Sequence, residues 1–295
     1  MIPSLLRSAL YVPASNVRAI EKARSLDSDA VILDLEDAVA PDAKVAAREH
    51  AIAVAAQGGF GDRLLVIRAN ALDTEWGRDD VLAIRNSGAA AVLIPKLASA
   101  QTIADLETLV EGAPQAFRTW AMIETCGAIL ALDKIATAAR GSRLACFVAG
   151  TNDLLKEMRA TQLPGRDNLA AMLSLTVAAG RTAGVAVLDG VFNDFNDPDG
   201  LAAECRQGRS FGFDGKTLIH PSQIAACNEL FAPTAQEVAD ASKIAAAFAE
   251  PGNSSAGVIQ VEGRMVERLH AEIAQTILAK AALIEARQQP AEERS

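Results

Sequence analysis

Short apolar runs recur along residues 8–219, most of them without polar alternation. They fall at 8–12 (SALYV), 30–34 (AVILD), 63–68 (RLLVIR), 90–95 (AAVLIP), 119–124 (TWAMIE), 144–149 (LACFVA), 185–188 (VAVL) and 213–219 (FDGKTLI). Runs of this length, apolar throughout, read as strands buried on both faces, the environment of a parallel sheet. Between them lie helical stretches, expected after a cap at Ser15 or Asn16 and then over 42–56, 79–86, 99–110, 128–140, 168–183 and 201–208. Strand–helix alternation implies a parallel sheet, and eight such units imply a closed (β/α)8 barrel, the TIM barrel. An open doubly wound sheet is the alternative. No GxGxxG or GxxxxGK[ST] follows any strand, so no nucleotide-binding fingerprint supports it.

The pattern changes beyond Ser222. We therefore expect a catalytic barrel over 1–225 and a C-terminal helical extension over 226–295. Thr234 and Glu237 form a capping box, and Val238, Ala241, Ala245 and Phe248 recur at helical spacing. A hinge-like PGNSSAG at 251–257 and an extended stretch at 258–261 precede a last helix over 265–286. Its stripe of Val266, Leu269, Ile273, Ile277 and Ile284 needs cover from the barrel or from a second copy, so a homo-oligomer is expected.

Composition narrows the class. Of 295 residues, 50 % are hydrophobic, enough for a large core, while 28 basic and 37 acidic residues leave a net charge of −9. That balance argues against a nucleic-acid partner. No apolar run is long enough to cross a membrane. Cys126, Cys146, Cys205 and Cys227 make no CxxC pair and read as reduced thiols of a cytoplasmic protein.

Candidate chemistry gathers at the strand ends, which converge on one mouth in such a barrel. Glu124 is the last residue of its strand, and Asp153 lies just past the next one. Two carboxylates on neighbouring strands make a hard oxygen site suited to Mg²⁺; capping of the following helices is the other reading for each. Asp34, Glu36 and Asp37 crowd another strand end, where burial demands pairing, a metal or water. Arg68 is a natural fork for a substrate carboxylate; a salt bridge to the Asp34/Glu36 cluster is the other reading, and both could hold. Lys96 could serve as a Schiff-base nucleophile or as an electrostatic partner. Arg18 and Lys22 are either solvated or face a phosphate. The acidic loop 189–200 (DGVFNDFNDPDG) reads as functional, metal-adjacent or simply solvated.

RSALYVPASN, AVILDLEDAV, VIRAN, VLIPK, MIET, AGTNDL, VFNDFND and GFDGKTLIHPSQI occur in that order. Together they resemble the citrate lyase beta-subunit-like family of CoA-ester lyases, which includes malyl-CoA and citramalyl-CoA lyases, over residues 7–267. The resemblance implies a TIM barrel with C-terminal helices, usually trimeric (a hexamer is also open), that binds Mg²⁺, an acyl-CoA and a small 2-oxo acid. It places Glu124 and Asp153 as metal ligands, with Glu124 also at the substrate. It makes Arg68 the holder of the substrate's oxo/carboxylate end and Glu36 and Asp37 the acidic pair supporting the site. Tyr11, Arg18 and Lys22 match the segment that meets CoA. One departure stands out: a family Asp in a Gly-x-Met-(Ile/Val)-Asp context, delivered to a neighbour's site, is Glu267 here.

The reaction so implied is retro-Claisen cleavage of a 3-hydroxy-3-carboxyacyl-CoA to acetyl-CoA and a 2-oxo acid, with Glu267 as general acid/base. Alternatives are a malyl-CoA thioesterase or malate-synthase-like activity, a CoA-independent metal aldolase, and a non-catalytic metabolite-binding homologue.

Overall fold

The computed structural model describes residues 5–253 and 256–288. Eight parallel strands close into a barrel in sequence order. They are β1 (Ser8–Pro13), β2 (Ala30–Asp34), β3 (Leu64–Arg68), β4 (Ala91–Ile94), β5 (Arg118–Ile123), β6 (Leu144–Ala149), β7 (Ala186–Asp189) and β8 (Gly215–Leu218), and β8 pairs back onto β1. The expected fold is therefore the observed one.

The absence of polar alternation has a direct cause. Successive side chains of a strand point to opposite faces. On β2, Ala30 and Ile32 fill the barrel interior with Val66, Leu93, Trp120 and Val148. Val31 and Leu33 face outward into the layer between strands and helices. Both faces are dry, so both sets are apolar.

Helix boundaries differ from the sequence reading where local chemistry intervenes. Asp197 accepts a hydrogen bond from the Gly200 amide at 2.9 Å, so the helix expected at 201–208 runs Pro198–Phe211 and shortens the acidic loop. The helix expected at 128–140 is two pieces, Cys126–Leu130 and Leu132–Ala139, broken at Ala131. That expected at 168–183 starts at Ala170, after a 3-10 turn at Pro164–Leu169.

The chain divides into two compact units, Leu6–Phe231 and a second that includes residues 232–253 and 256–288. The first reaches past the boundary expected at 225 because the helix Ile224–Leu230 is fastened to the barrel. Ser8 Oγ donates to Asn228 Oδ1 at 2.7 Å, and the Cys227 thiol donates to the Arg7 carbonyl at 3.1 Å.

In the second unit the capping box forms: the Glu237 amide donates to Thr234 Oγ1 at 3.2 Å, and the Thr234 amide to Glu237 Oε2 at 2.7 Å. The helix it starts is Ala235–Ala249. The last helix is corrected. It begins at Arg268 rather than 265, because β9 (Val258–Val261) and β10 (Arg264–Glu267) form an antiparallel hairpin. Its turn residues Glu262 and Gly263 have φ of 48° and 79°, the doubly positive pair that suits a tight hairpin. Val266 is buried with Phe248 and Ala271 rather than on the helical stripe.

Candidate active site

At the C-terminal mouth of the barrel lies a cavity of about 390 Å³, walled by Tyr11, Arg68, Met122, Glu124, Asp153 and Asn193 among others. Arg68 is its hub. Nε donates to Asp34 Oδ1 at 2.6 Å and Nη2 to Asp34 Oδ2 at 2.7 Å. Nη1 lies 2.8 Å from Glu36 Oε2 and 3.2 Å from Asp37 Oδ2. The Tyr11 ring packs against the guanidinium at 4.9 Å. Thus Arg68 does meet the acid cluster, and Asp34, not Glu36 or Asp37, is its forked partner. The pairing follows from strand register, since Asp34 and Arg68 are neighbours on β2 and β3. Asp34 is held in turn by the Glu36 and Ala38 amides at 2.9 and 3.1 Å.

The surroundings shift acidities. Burial pushes the Glu36 carboxyl up to about 8, with the Arg68 charge pulling the other way. Burial also raises the Tyr11 phenol well above its ordinary value, so it stays protonated. Lys44 donates to the carbonyls of Leu35 and Glu36 at 2.8 and 2.6 Å, which fixes the turn carrying the acids.

Opposite sits the second acid pair. Glu124 follows β5 and has no exposed surface. Its Oε1 accepts the Lys96 amide at 2.7 Å, with Lys96 Nζ at 3.5 Å. Its Oε2 is buried without a protein partner. Burial raises its carboxyl above the ordinary range, opposed by Lys96. Asp153 stands in the first turn of the helix Thr151–Met158, with Oδ1 2.7 Å from Lys96 Nζ. Neither acid caps a helix: Gly150 is the N-cap residue before Thr151, and Thr125 caps Cys126–Leu130 through the Ala128 amide at 3.0 Å. Lys96 is therefore an ion-pair partner of both acids. Burial works against its ammonium, but the hydrogen bond to Asp153 and the Glu124 charge outweigh it, and its pKa is raised.

These residues fit a divalent cation. An orphaned carboxylate oxygen in a dry wall needs a partner. Gly150 leaves room for it: a Cβ there would stand 2.4 Å from Glu124 Oε2. With Glu36 protonated, Asp34, Asp37, Glu124 and Asp153 still outnumber Arg68 and Lys96, so the cluster favours a further cation. Glu124 and Asp153 offer two carboxylates at successive strand ends, both in reach of Lys96. That suits Mg²⁺, which is held by one or two carboxylates and completes its shell with water and substrate oxygens.

The other expected site residues lie elsewhere. Arg18 and Lys22 are exposed on the helix Val17–Ala23 after β1 and do not line the cavity. Glu267 is exposed at the end of β10, in the second unit. In the β7 loop, Asn193 exchanges two hydrogen bonds with Asn152, at 2.9 and 3.2 Å, and Phe195 stacks on His220 at 4.7 Å.

Asp189 is not part of a solvated acidic loop. It is fully buried, 2.7 Å from Arg166 Nη1 and 3.1 Å from Lys216 Nζ, and Glu204 completes the cluster 2.6 Å from Lys216. Burial opposes its ionisation, but the Lys216 and Arg166 charges hold its carboxyl below the ordinary range. An apolar strand ending in Asp was the signal for it; its partners gave none.

Residues 7–221 match the family model described as HpcH/HpaI aldolase/citrate lyase. A (3S)-malyl-CoA thioesterase of Cereibacter sphaeroides is 45 % identical over 280 residues, covering 95 % of this chain and 96 % of that protein. Citrate lyase subunit beta of Escherichia coli K12 is 33 % identical over 285 residues, covering 94 % and 93 %. Among solved structures, CitE of Mycobacterium tuberculosis in complex with magnesium, acetoacetate and coenzyme A aligns with a TM-score of 0.75 at 28 % identity, over 93 % of this chain and 97 % of that one. A citrate lyase from Burkholderia xenovorans, at 20 % identity and a TM-score of 0.79, shows the same fold over 97 % of this chain and 94 % of that one. The match spans the barrel that carries both acid pairs, and on that ground the chain belongs to the HpcH/HpaI aldolase/citrate lyase family.

Proposed function

We propose that the protein is a Mg²⁺-dependent enzyme acting on a 3-hydroxy-3-carboxyacyl-CoA of the malyl-CoA type, and that it hydrolyses the thioester to the free hydroxydicarboxylic acid and CoA. The observation that carries the reading is the Glu124–Asp153 pair: it lines the cavity opposite Arg68, with one buried Glu124 oxygen unpartnered. The choice of hydrolysis rests on relatives. The thioesterase is 45 % identical, whereas the citrate lyase beta subunit is 33 % identical.

Glu124 and Asp153 would hold the metal, which when bound would supply Lewis acidity. Arg68, fixed by Asp34, stabilises negative charge developing on the reacting oxygens. Glu36 and Asp37 keep the guanidinium turned toward the cavity. Tyr11 packs on the guanidinium and closes the wall behind it, while Arg18 and Lys22 meet the CoA phosphates. Glu267, from the second unit of a neighbouring copy in a trimer or hexamer, serves as general acid/base. In hydrolysis it takes a proton from water as the water oxygen bonds to the thioester carbonyl carbon; the C–S bond then breaks and CoA leaves as the thiolate. We place the enzyme in the cytoplasm on its unbridged cysteines; among the described residues no helix is long and apolar enough to cross a membrane.

Carbon–carbon cleavage to acetyl-CoA and a 2-oxo acid is the second reading. It is supported by the citrate lyase beta relatives and by the M. tuberculosis citrate lyase beta subunit solved with oxaloacetate and magnesium, at 28 % identity.

Malyl-CoA and citramalyl-CoA, each with Mg²⁺ or EDTA, decide between them. Malate and free CoA, formed only with Mg²⁺ and lost in Glu124→Ala, are expected. Glyoxylate or pyruvate with acetyl-CoA moves the assignment to the lyase. No product from either thioester removes both and leaves an aldolase of free acids or a binding protein.

A further inference from the structure

Lys96 is used by neither reaction, yet it occupies a costly position. Its φ is 54°, in the left-handed region that a residue with a Cβ rarely adopts. That conformation aims its amide at Glu124 Oε1, at 2.7 Å, while its side chain reaches Asp153 Oδ1, also at 2.7 Å. One residue thus grips one oxygen of each acid. The other oxygen of Glu124 has no protein partner. Glu124 and Asp153 line the cavity, and the Lys96 ammonium, whose side chain is 34 % exposed, is held by both of them.

We propose that Lys96 is the fixed counter-charge of the metal site: it closes on one oxygen each of Glu124 and Asp153, leaves Glu124 Oε2 without a protein partner, and lowers the site's affinity for a divalent cation. The proposal rests on the reading that these two acids hold the metal. Lys96 is a positioning residue, acting through the carboxylates.

Two effects compete when the ammonium is removed. Losing the clamp frees Asp153, whose side chain is 29 % exposed, and ordering one side chain is a small cost. Removing the positive charge that shares Glu124 and Asp153 with the ion relieves a repulsion that solvent only partly screens, since the Lys96 side chain is 34 % exposed. Glu124 stays seated in either case, because its main bond is to the Lys96 backbone. The charge effect therefore wins, and an uncharged side chain tightens metal binding. The physical use of such a residue is exchange: an ion held too tightly cannot give up its water to substrate.

The test is calorimetric titration of chelator-stripped full-length protein with Mg²⁺ alone, without substrate. Lys96→Met is expected to bind Mg²⁺ at least tenfold more tightly than the wild type, and Lys96→Arg within about threefold of it. Lys96→Asn, a residue that tolerates the left-handed conformation, is expected to behave as Lys96→Met does and covers the case in which Met disturbs the turn. Unchanged or weaker binding in both uncharged variants overturns the role given to Lys96 while leaving the metal site in place. No Mg²⁺ binding in wild type or variants overturns the metal reading itself, and this proposal with it.

Discussion

Arg68 grips Asp34 as a fork, Nε on one carboxylate oxygen at 2.6 Å and Nη2 on the other at 2.7 Å, with both side chains almost wholly buried. Bidentate geometry of this kind is specific to a guanidinium. The fork holds the inner nitrogens and leaves Nη1 for the cavity side, where Glu36 and Asp37 steady it.

Arg68→Lys keeps the charge and loses the fork. We expect kcat/KM on malyl-CoA to fall by about a hundredfold or more, the scale for loss of one preorganised charge-stabilising donor. Arg68→Met leaves Asp34 as an uncompensated buried charge, which costs roughly 3–5 kcal/mol. Urea denaturation of the two variants separates the effects. Near wild-type turnover in Arg68→Lys sinks the role given to the fork.

Gly150→Ala tests the shape of the metal site. The new Cβ would stand 2.4 Å from Glu124 Oε2, the unpartnered oxygen proposed as a metal ligand. The carboxylate must move, since the methyl group is fixed to the backbone. We expect Mg²⁺ affinity and activity to fall at least tenfold, with overpacking costing about 1–3 kcal/mol of stability. Unaltered Mg²⁺ binding would mean that Glu124 Oε2 is not a ligand.

Much of this was legible in the sequence, for identifiable reasons. Strands with two dry faces are apolar at every position, so β2 and β4 stand out whatever their helices do. Strand-end chemistry was legible too: Glu124, Asp153 and Arg68 do meet one cavity. What was lost is information carried by register and by backbone conformation. Asp34 faces Arg68 because β2 and β3 are in register there. Arg166 reaches Asp189 only through the left-handed pair Gly165 and Arg166, with φ of 72° and 54°, which no periodicity announces. The β9–β10 hairpin was hidden because its buried Val266 also fits a helical stripe.

Glu36 gives the protein a pH-dependent stability. Burial raises its carboxyl from an ordinary 4.5 to about 8. A raised value means that the folded state binds the proton more tightly than the unfolded state. The resulting stability is fully present below about pH 4.5 and is lost as pH rises through 8. Each pKa unit corresponds to about 1.4 kcal/mol. In metal-free buffer the urea midpoint of the wild type should therefore fall between pH 5.5 and 8.5, and Glu36→Gln should flatten that fall. An equal fall in the variant would assign it to other groups.

The buried cluster behind β7 makes the last prediction. Lys216 is fully buried, 3.1 Å from Asp189 and 2.6 Å from Glu204, and Arg166 lies 2.7 Å from Asp189 and 3.3 Å from Glu204. Two cations and two anions balance. Lys216→Met leaves both carboxylates to Arg166 alone, and breaking such a pair costs roughly 3–5 kcal/mol because a charge stays buried without compensation. The excess is one carboxylate, so removing one should restore balance. Lys216→Met combined with Glu204→Gln is expected to recover a substantial part of the loss, a coupling that a double-mutant cycle in urea reads directly. Asp189 must remain the retained anion. Its Oδ1 accepts the Gly190 amide at 2.8 Å and its carbonyl accepts Thr217 Oγ1 at 3.0 Å, so it also anchors the loop that carries Val191 and Asn193 to the cavity. Additive losses in the double variant would show that the cluster acts through packing and not through charge.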